Sequence, residues 1–187
     1  MSGKRESGNI RARLIDAGLM ELLEHGSEDF SLRRVALLAQ VSCAAPYRHF
    51  KDKDELIRAI IIEIRKNWLL LIDEIGNFYD KESADYVTEL LVAGVRFWVA
   101  GENFAPFLSL GEIGAFDEPI IAAITSFANA NGMSESERER LTTSLLSLMY
   151  GSVTLVISKR LTPANAQLSL RTESARLLSA SASLSKG

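Results

Sequence analysis

Cysteine is all but absent from this 187-residue chain. The single thiol, Cys43, excludes an internal disulfide and fits a reducing, cytoplasmic setting. Histidine is nearly as scarce: His25 and His49 both lie in the first third, so no imidazole serves catalysis or metal binding beyond it. Cys43 and His49 are six residues apart, about 240° of rotation on a helix, which excludes a nucleophile–base pair on one face. A glycine loop for phosphate and a metal-ligand spacing are both missing. No enzyme activity and no cofactor are expected, although carboxylate chemistry leaves no such signature. Long apolar runs are lacking too. Leu145–Ile157 is short and rich in Ser, Thr and Gly, and residues 1–9 are polar, so neither a membrane span nor a signal peptide is expected.

What is present is ordinary in amount and uneven in distribution. The hydrophobic content is 47%, normal for a globular chain, and the length suits one or two domains burying about 70% of the unfolded surface. Residues 1–53 hold nine Lys and Arg against seven Asp and Glu, a net +2; residues 54–187 hold twelve against seventeen, a net −5. A mildly basic head on an acidic body suits a protein that presents one end to phosphate.

The stretch Ser31–Leu56, SLRRVALLAQVSCAAPYRHFKDKDEL, organises the rest. Ser31 is an N-cap residue, and Leu32, Val35, Ala36 and Ala39 follow at helical spacing. Gln40-Val41-Ser42 interrupts the pattern, and Ser42 then caps a second helix reaching Phe50. Tyr47 and Phe50 are expected to face inward, with Cys43, Ala44, Ala45, Arg48 and His49 outside. This is a helix-turn-helix whose second helix is sized for a DNA major groove.

With Asn9–Gly26 before it, the stretch resembles the DNA-binding domain of the TetR family of bacterial transcriptional regulators. The resemblance is carried by Gly26, Ser31, Val35-Ala36, Ala39-Gln40-Val41-Ser42, Tyr47, His49, Phe50, Lys53 and Leu56. Gln40 stands where the family has Gly, and Pro46, counted as the fourth helical residue, where it has Leu or Ile. The resemblance implies an all-α fold, with residues 1–52 as the helix-turn-helix domain and 53–187 as a helical effector-binding and dimerisation domain.

Elsewhere the periodicity predicts helices only. Residues 1–8 read as a disordered arm in which Lys4 and Arg5 either reach phosphate or carry incidental charge. A helix is expected over Asn9–Glu24, with Gly18 at a close helix contact. A long one over Lys53–Ile75 links head to body, and another opens at Ser83 and stops at Gly101. A short piece is expected over Phe104–Leu110, then a helix starting at Asp117 with Pro119 in its first turn and ending at Gly132. The Ser134–Glu137 capping box opens a helix running to about Leu161, closed by Pro163, and a last helix covers Leu170–Ala182.

For DNA contact the resemblance implies Ser42, Tyr47, His49 and Lys53, mainly on the backbone. Arg33 and Arg34 are further phosphate or base-edge candidates. Arg48 is the one long polar side chain of the second helix suited to a bidentate guanine contact, and Cys43, Ala44 and Ala45 suit thymine methyls. Cys43 also admits a redox reading, and an inert small residue satisfies its position as well. In the body, Trp68, Phe97, Trp98, Phe104, Phe107, Phe127, Met149 and Tyr150 are either pocket lining or plain core. Arg96 either orients an anionic group or reaches the surface. The expectation is a homodimeric repressor on a pseudo-palindromic double-stranded operator, released by a small-molecule effector. The alternatives are a TetR-like regulator governed by a protein partner or no effector, and a helical enzyme or carrier retaining the head.

Overall fold

A computed structural model describes residues 2–100 and 113–184, in which helix is the only regular structure. The chain divides into two compact units with a boundary at Asn67–Trp68. The first unit is built on α1 (Ser2–His25), α2 (Leu32–Leu38), α3 (Ala45–His49) and the opening turns of α4 (Lys53–Gly76). Its core is Leu14, Leu22, Val35, Ala36, Phe50, Leu56 and Ile60, all nearly inaccessible. α1 meets α4 closely at Gly18, where a Cβ would lie 2.8 Å from Ile60 Cδ1. The helix from Ser2 replaces the disordered arm expected for residues 1–8.

Local chemistry sets each boundary. Ser31 caps α2, its hydroxyl accepting from Arg34 N–H. Asp52 Oδ1 accepts from Glu55 N–H at 2.8 Å while Glu55 Oε2 accepts from Lys51 N–H at 2.6 Å, closing the start of α4. The exit from α2 is a Schellman turn: Gln40 N–H donates to Leu37 O and Val41 N–H to Ala36 O, with Gln40 at φ +53. Gln40 therefore adopts the left-handed backbone that glycine usually supplies.

The second unit contains the rest of α4, α5 (Ala84–Ala100), α6 (Ile113–Ala130), α7 (Glu135–Ile157) and α8 (Pro163–Leu184). α5 is its centre, nearly all buried from Tyr86 to Val95, and it packs on α6, α7 and α8. Contact with α7 is close at Gly94, where a Cβ would fall 2.6 Å from Met149 Sδ. Across α5 and α8, Arg171 forms a fork on Glu89, and Ser174 Oγ meets Thr88 Oγ1 at 3.3 Å inside the unit.

Three boundaries differ from expectation. α6 begins at Ile113, so Pro119 lies inside it and its missing N–H leaves the Ala115 carbonyl without its helical donor. α7 opens on the expected Ser134–Glu137 box but closes at Ile157, through a second Schellman turn with Lys159 at φ +58. Pro163 opens α8 instead of closing α7, with Thr162 as cap accepting from Asn165 N–H at 3.2 Å. The short Phe104–Leu110 piece lies outside the described residues. By length and composition alone α7 is apolar enough to cross a membrane, with 33% of its most apolar window buried.

Candidate nucleic-acid interface

The turn after α2 sets α3 on the surface of the head. Arg13 of α1 clamps that turn, its guanidinium donating to the carbonyls of Ala39 and Gln40. Ala45 N–H donates to Ser42 O at 2.8 Å, so Ser42-Cys43-Ala44 form a turn and α3 starts only at Ala45. Pro46 is thus at the front of the helix, where a missing N–H removes no bond. The expectation that Ser42 caps the helix and that Pro46 is its fourth residue is corrected accordingly.

Phe50 is 2% exposed and anchors the end of α3, with the Arg11 guanidinium 5.1 Å from its ring centre. Tyr47 is 65% exposed, so it belongs to the surface and not to the core. Ala45 is 8% exposed and faces inward, where it cannot reach a thymine methyl. Arg33, Ser42, Cys43, Ala44, Tyr47 and Arg48 are each exposed, and His49 and Lys53 are half-buried. Neither Arg33 nor Arg48 has a hydrogen bond or ion pair among the described residues. Lys53 Nζ donates to Ser27 O at 3.2 Å, fixing its ammonium at the start of α4.

Arg34 is occupied within the protein. Its Nε and Nη2 reach Glu21 Oε1 at 2.7 and 2.6 Å, and the same oxygen accepts from Ser31 N–H at 3.0 Å. The hydrogen bond to the Glu21 carboxylate holds the guanidinium above its ordinary pKa. Glu21 is wholly buried, and its other oxygen lies 3.3 Å from His25 Nδ1. It ties α1 to the start of α2, a role missed in the sequence. The available signal was its position seven residues after Leu14, on the apolar face of α1.

In the second unit four of the expected aromatics, Trp68, Phe97, Trp98 and Tyr150, converge. Ring centres lie 4.9 Å apart for Trp68–Phe97, 5.8 Å for Phe97–Trp98 and 6.3 Å for Trp98–Tyr150. Phe116, not foreseen, completes the group at 5.6 Å from Phe97 and 5.4 Å from Trp98. Trp68 Nε1 donates to Phe116 O at 3.0 Å, and Tyr150 O–H donates to Asp117 Oδ1 at 2.6 Å. Burial pushes the Asp117 carboxyl up against the opposing pull of Tyr150, and burial together with Asp117 pushes the Tyr150 phenol up. Met149 and Phe127 are buried, Met149 against Gly94. Arg96 is exposed and donates to Gln167 Oε1 at 2.9 Å, away from any anion role inside. Phe104 and Phe107 lie outside the described residues. Among the described residues no cluster of His, Cys, Asp and Glu is placed to hold a metal.

Residues 14–60 match the family model described as bacterial regulatory proteins, tetR family. HTH-type transcriptional regulators of Mycobacterium bovis and Mycobacterium tuberculosis are each 29% identical over 101 residues, covering 51% of this chain and 42% of theirs. The chain thus matches less than half the length of these curated relatives. A TetR-family regulator from Rhodococcus sp. superposes at a TM-score of 0.67 with 18% identity, covering 91% of this chain and 99% of its own. One from Haloarcula marismortui gives 0.60 with 19% identity, covering 92% and 98%. These likenesses confirm the fold: an N-terminal helix-turn-helix followed by a helical body.

Proposed function

We propose, from the premise that residues 14–60 are a TetR-family DNA-binding segment, that this chain is a sequence-specific transcriptional regulator that represses until a small molecule releases it. The observation that carries the reading is the surface around α3. Arg33, Tyr47 and Arg48 are exposed there and the two arginines have no partner among the described residues. Unpaired guanidinium groups beside the helix-turn-helix are free to meet phosphate and base edges.

The roles follow from placement. Arg48, on the outer face of α3, reads guanine through N7 and O6. Lys53 and Arg33 meet phosphate, and Ser42, Tyr47 and His49 fix the register on the backbone. Cys43 and Ala44 contact thymine methyls, whereas Arg34 acts only by holding α2 against α1. Two α3 helices about 34–36 Å apart engage a pseudo-palindromic operator. The second copy docks on α7 and α8. This is supported by α7 turning inward only Leu141, Leu145, Met149, Ser152 and Val153, and leaving Ser144, Ser147, Gly151, Thr154 and Leu155 exposed. Small outward residues let two such helices approach closely. Ligand release follows by linkage, if the body binds its ligand better in a form that holds DNA less well. Cytoplasmic location accords with this role.

Substitution separates these contacts. Arg48→Ala is expected to lose about 1–3 kcal/mol on the operator and little on random DNA, and Lys53→Ala to weaken both and reduce the salt slope by about 1. Equal losses on operator and random DNA for Arg48→Ala would remove its base-reading role.

A further inference from the structure

Asp117 is 8% exposed, yet among the described residues neither an ion pair nor a cationic donor reaches it. Its one side-chain partner is the Tyr150 hydroxyl at 2.6 Å, within the range of a charge-assisted O–H···O⁻ bond, which favours the ionised carboxylate. A buried anion satisfied by one neutral donor is costly. Through Tyr150 the carboxylate joins the ring group, whose members Trp68, Phe97, Trp98, Phe116 and Tyr150 are linked at 4.9–6.3 Å. Phe97 and Tyr150 are half-buried, the other three rings buried.

We propose that this cluster is the effector site and that it takes a cationic ligand, an apolar ring-sized body bearing a protonated amine, with Asp117 as its counter-charge. The inference rests on the reading of the body as ligand-binding. A cation satisfies both halves of the cluster, since the carboxylate gains its missing charge and the ring faces attract an ammonium once it leaves water. A neutral ligand leaves Asp117 uncompensated. An anionic ligand adds a second negative charge beside it.

The chain's two tryptophans are Trp68 and Trp98, both in the cluster, so tryptophan emission reports binding without a label. The full chain is titrated with 4-phenylbutylamine, 4-phenylbutan-1-ol and 4-phenylbutanoate. The amine is expected to bind about tenfold or more tighter than the alcohol, on the scale of one desolvated cation–π contact, and the carboxylate weakest. Asp117→Asn keeps the shape and the tyrosine bond and is expected to bring amine and alcohol together; Tyr150→Phe keeps the order. An alcohol that binds as well as the amine, an Asn variant that keeps the preference, or emission unmoved by all three overturns the proposal. Should Asp117→Asn fail to fold, the amine-to-alcohol ratio of the unaltered chain decides alone. Operator binding measured beside it separates the two readings. Amine binding without operator release sustains the ligand class and removes ligand control, whereas intact operator binding with no amine effect removes the ligand class alone.

Discussion

Three helices in this chain end in the same backbone motif with three different residues at its left-handed position. Gly132 closes α6 at φ +69, Gln40 closes α2 at +53 and Lys159 closes α7 at +58. Each donates to the carbonyl three residues back, and the next residue donates to the carbonyl five back, at 2.9–3.1 Å. A non-glycine residue in this conformation costs about 1–2 kcal/mol, and glycine returns roughly 0.5–1 kcal/mol of that through its freer unfolded chain. Gln40→Gly and Lys159→Gly are therefore each expected to stabilise the protein by about 0.5–1 kcal/mol, and Gly132→Gln to destabilise it by a similar amount. No side-chain hydrogen bond is lost at position 40, because Arg13 holds backbone carbonyls there. Urea unfolding followed by circular dichroism measures all three, and the two stabilising changes should add because they lie in different units. A loss of stability in Gln40→Gly, with the fold retained, would refute the left-handed turn between α2 and α3. Gln40→Val should lose stability and operator affinity together, since a β-branched residue resists this backbone and the turn positions α3.

Gly94→Ala should lose about 1–3 kcal/mol through overpacking on Met149, with part recovered by Met149→Val, and a thermal melt of the pair reads this. Stability should also depend on pH through Asp117, whose folded pKa burial raises above the ordinary carboxylate value. The native state then holds the proton more tightly than the unfolded chain, so the contribution is fully present below the ordinary carboxylate pKa and is lost as pH rises through the raised folded value. Asp117→Asn should flatten that fall in a pH series of melts, and an unchanged profile would assign the dependence elsewhere.

Helix starts and stops in both units were legible where their signals are local. Ser31, the Ser134–Glu137 box and the stops at Gly26 and Gly132 act within one turn of chain, and each was read where it acts. Pro163 was misplaced because proline marks a helix start as readily as a stop, and Thr162 before it decides. The break at Gln40 was legible from the interrupted pattern, whereas Lys159 hid the end of α7, since lysine does not announce a left-handed backbone. Tyr47 was given to the core by its aromatic character, but α3 is too short to bury more than one ring, and Phe50 takes that place. Beginning α6 at Asp117 left Phe116 outside the helix, so the ring cluster was seen without its centre. Glu21 went unassigned and Asp117 was read only as a helix start, although both are buried.

Sequence-specific DNA binding by the head is the central proposal. Purified full-length protein titrated against DNA flanking its own gene, beside random DNA of equal length at two salt concentrations, tests this directly. The account predicts tighter binding to the native fragment, with the preference kept or widened at higher salt while non-specific binding falls away. Equal binding to both fragments that disappears together as salt rises would contradict it.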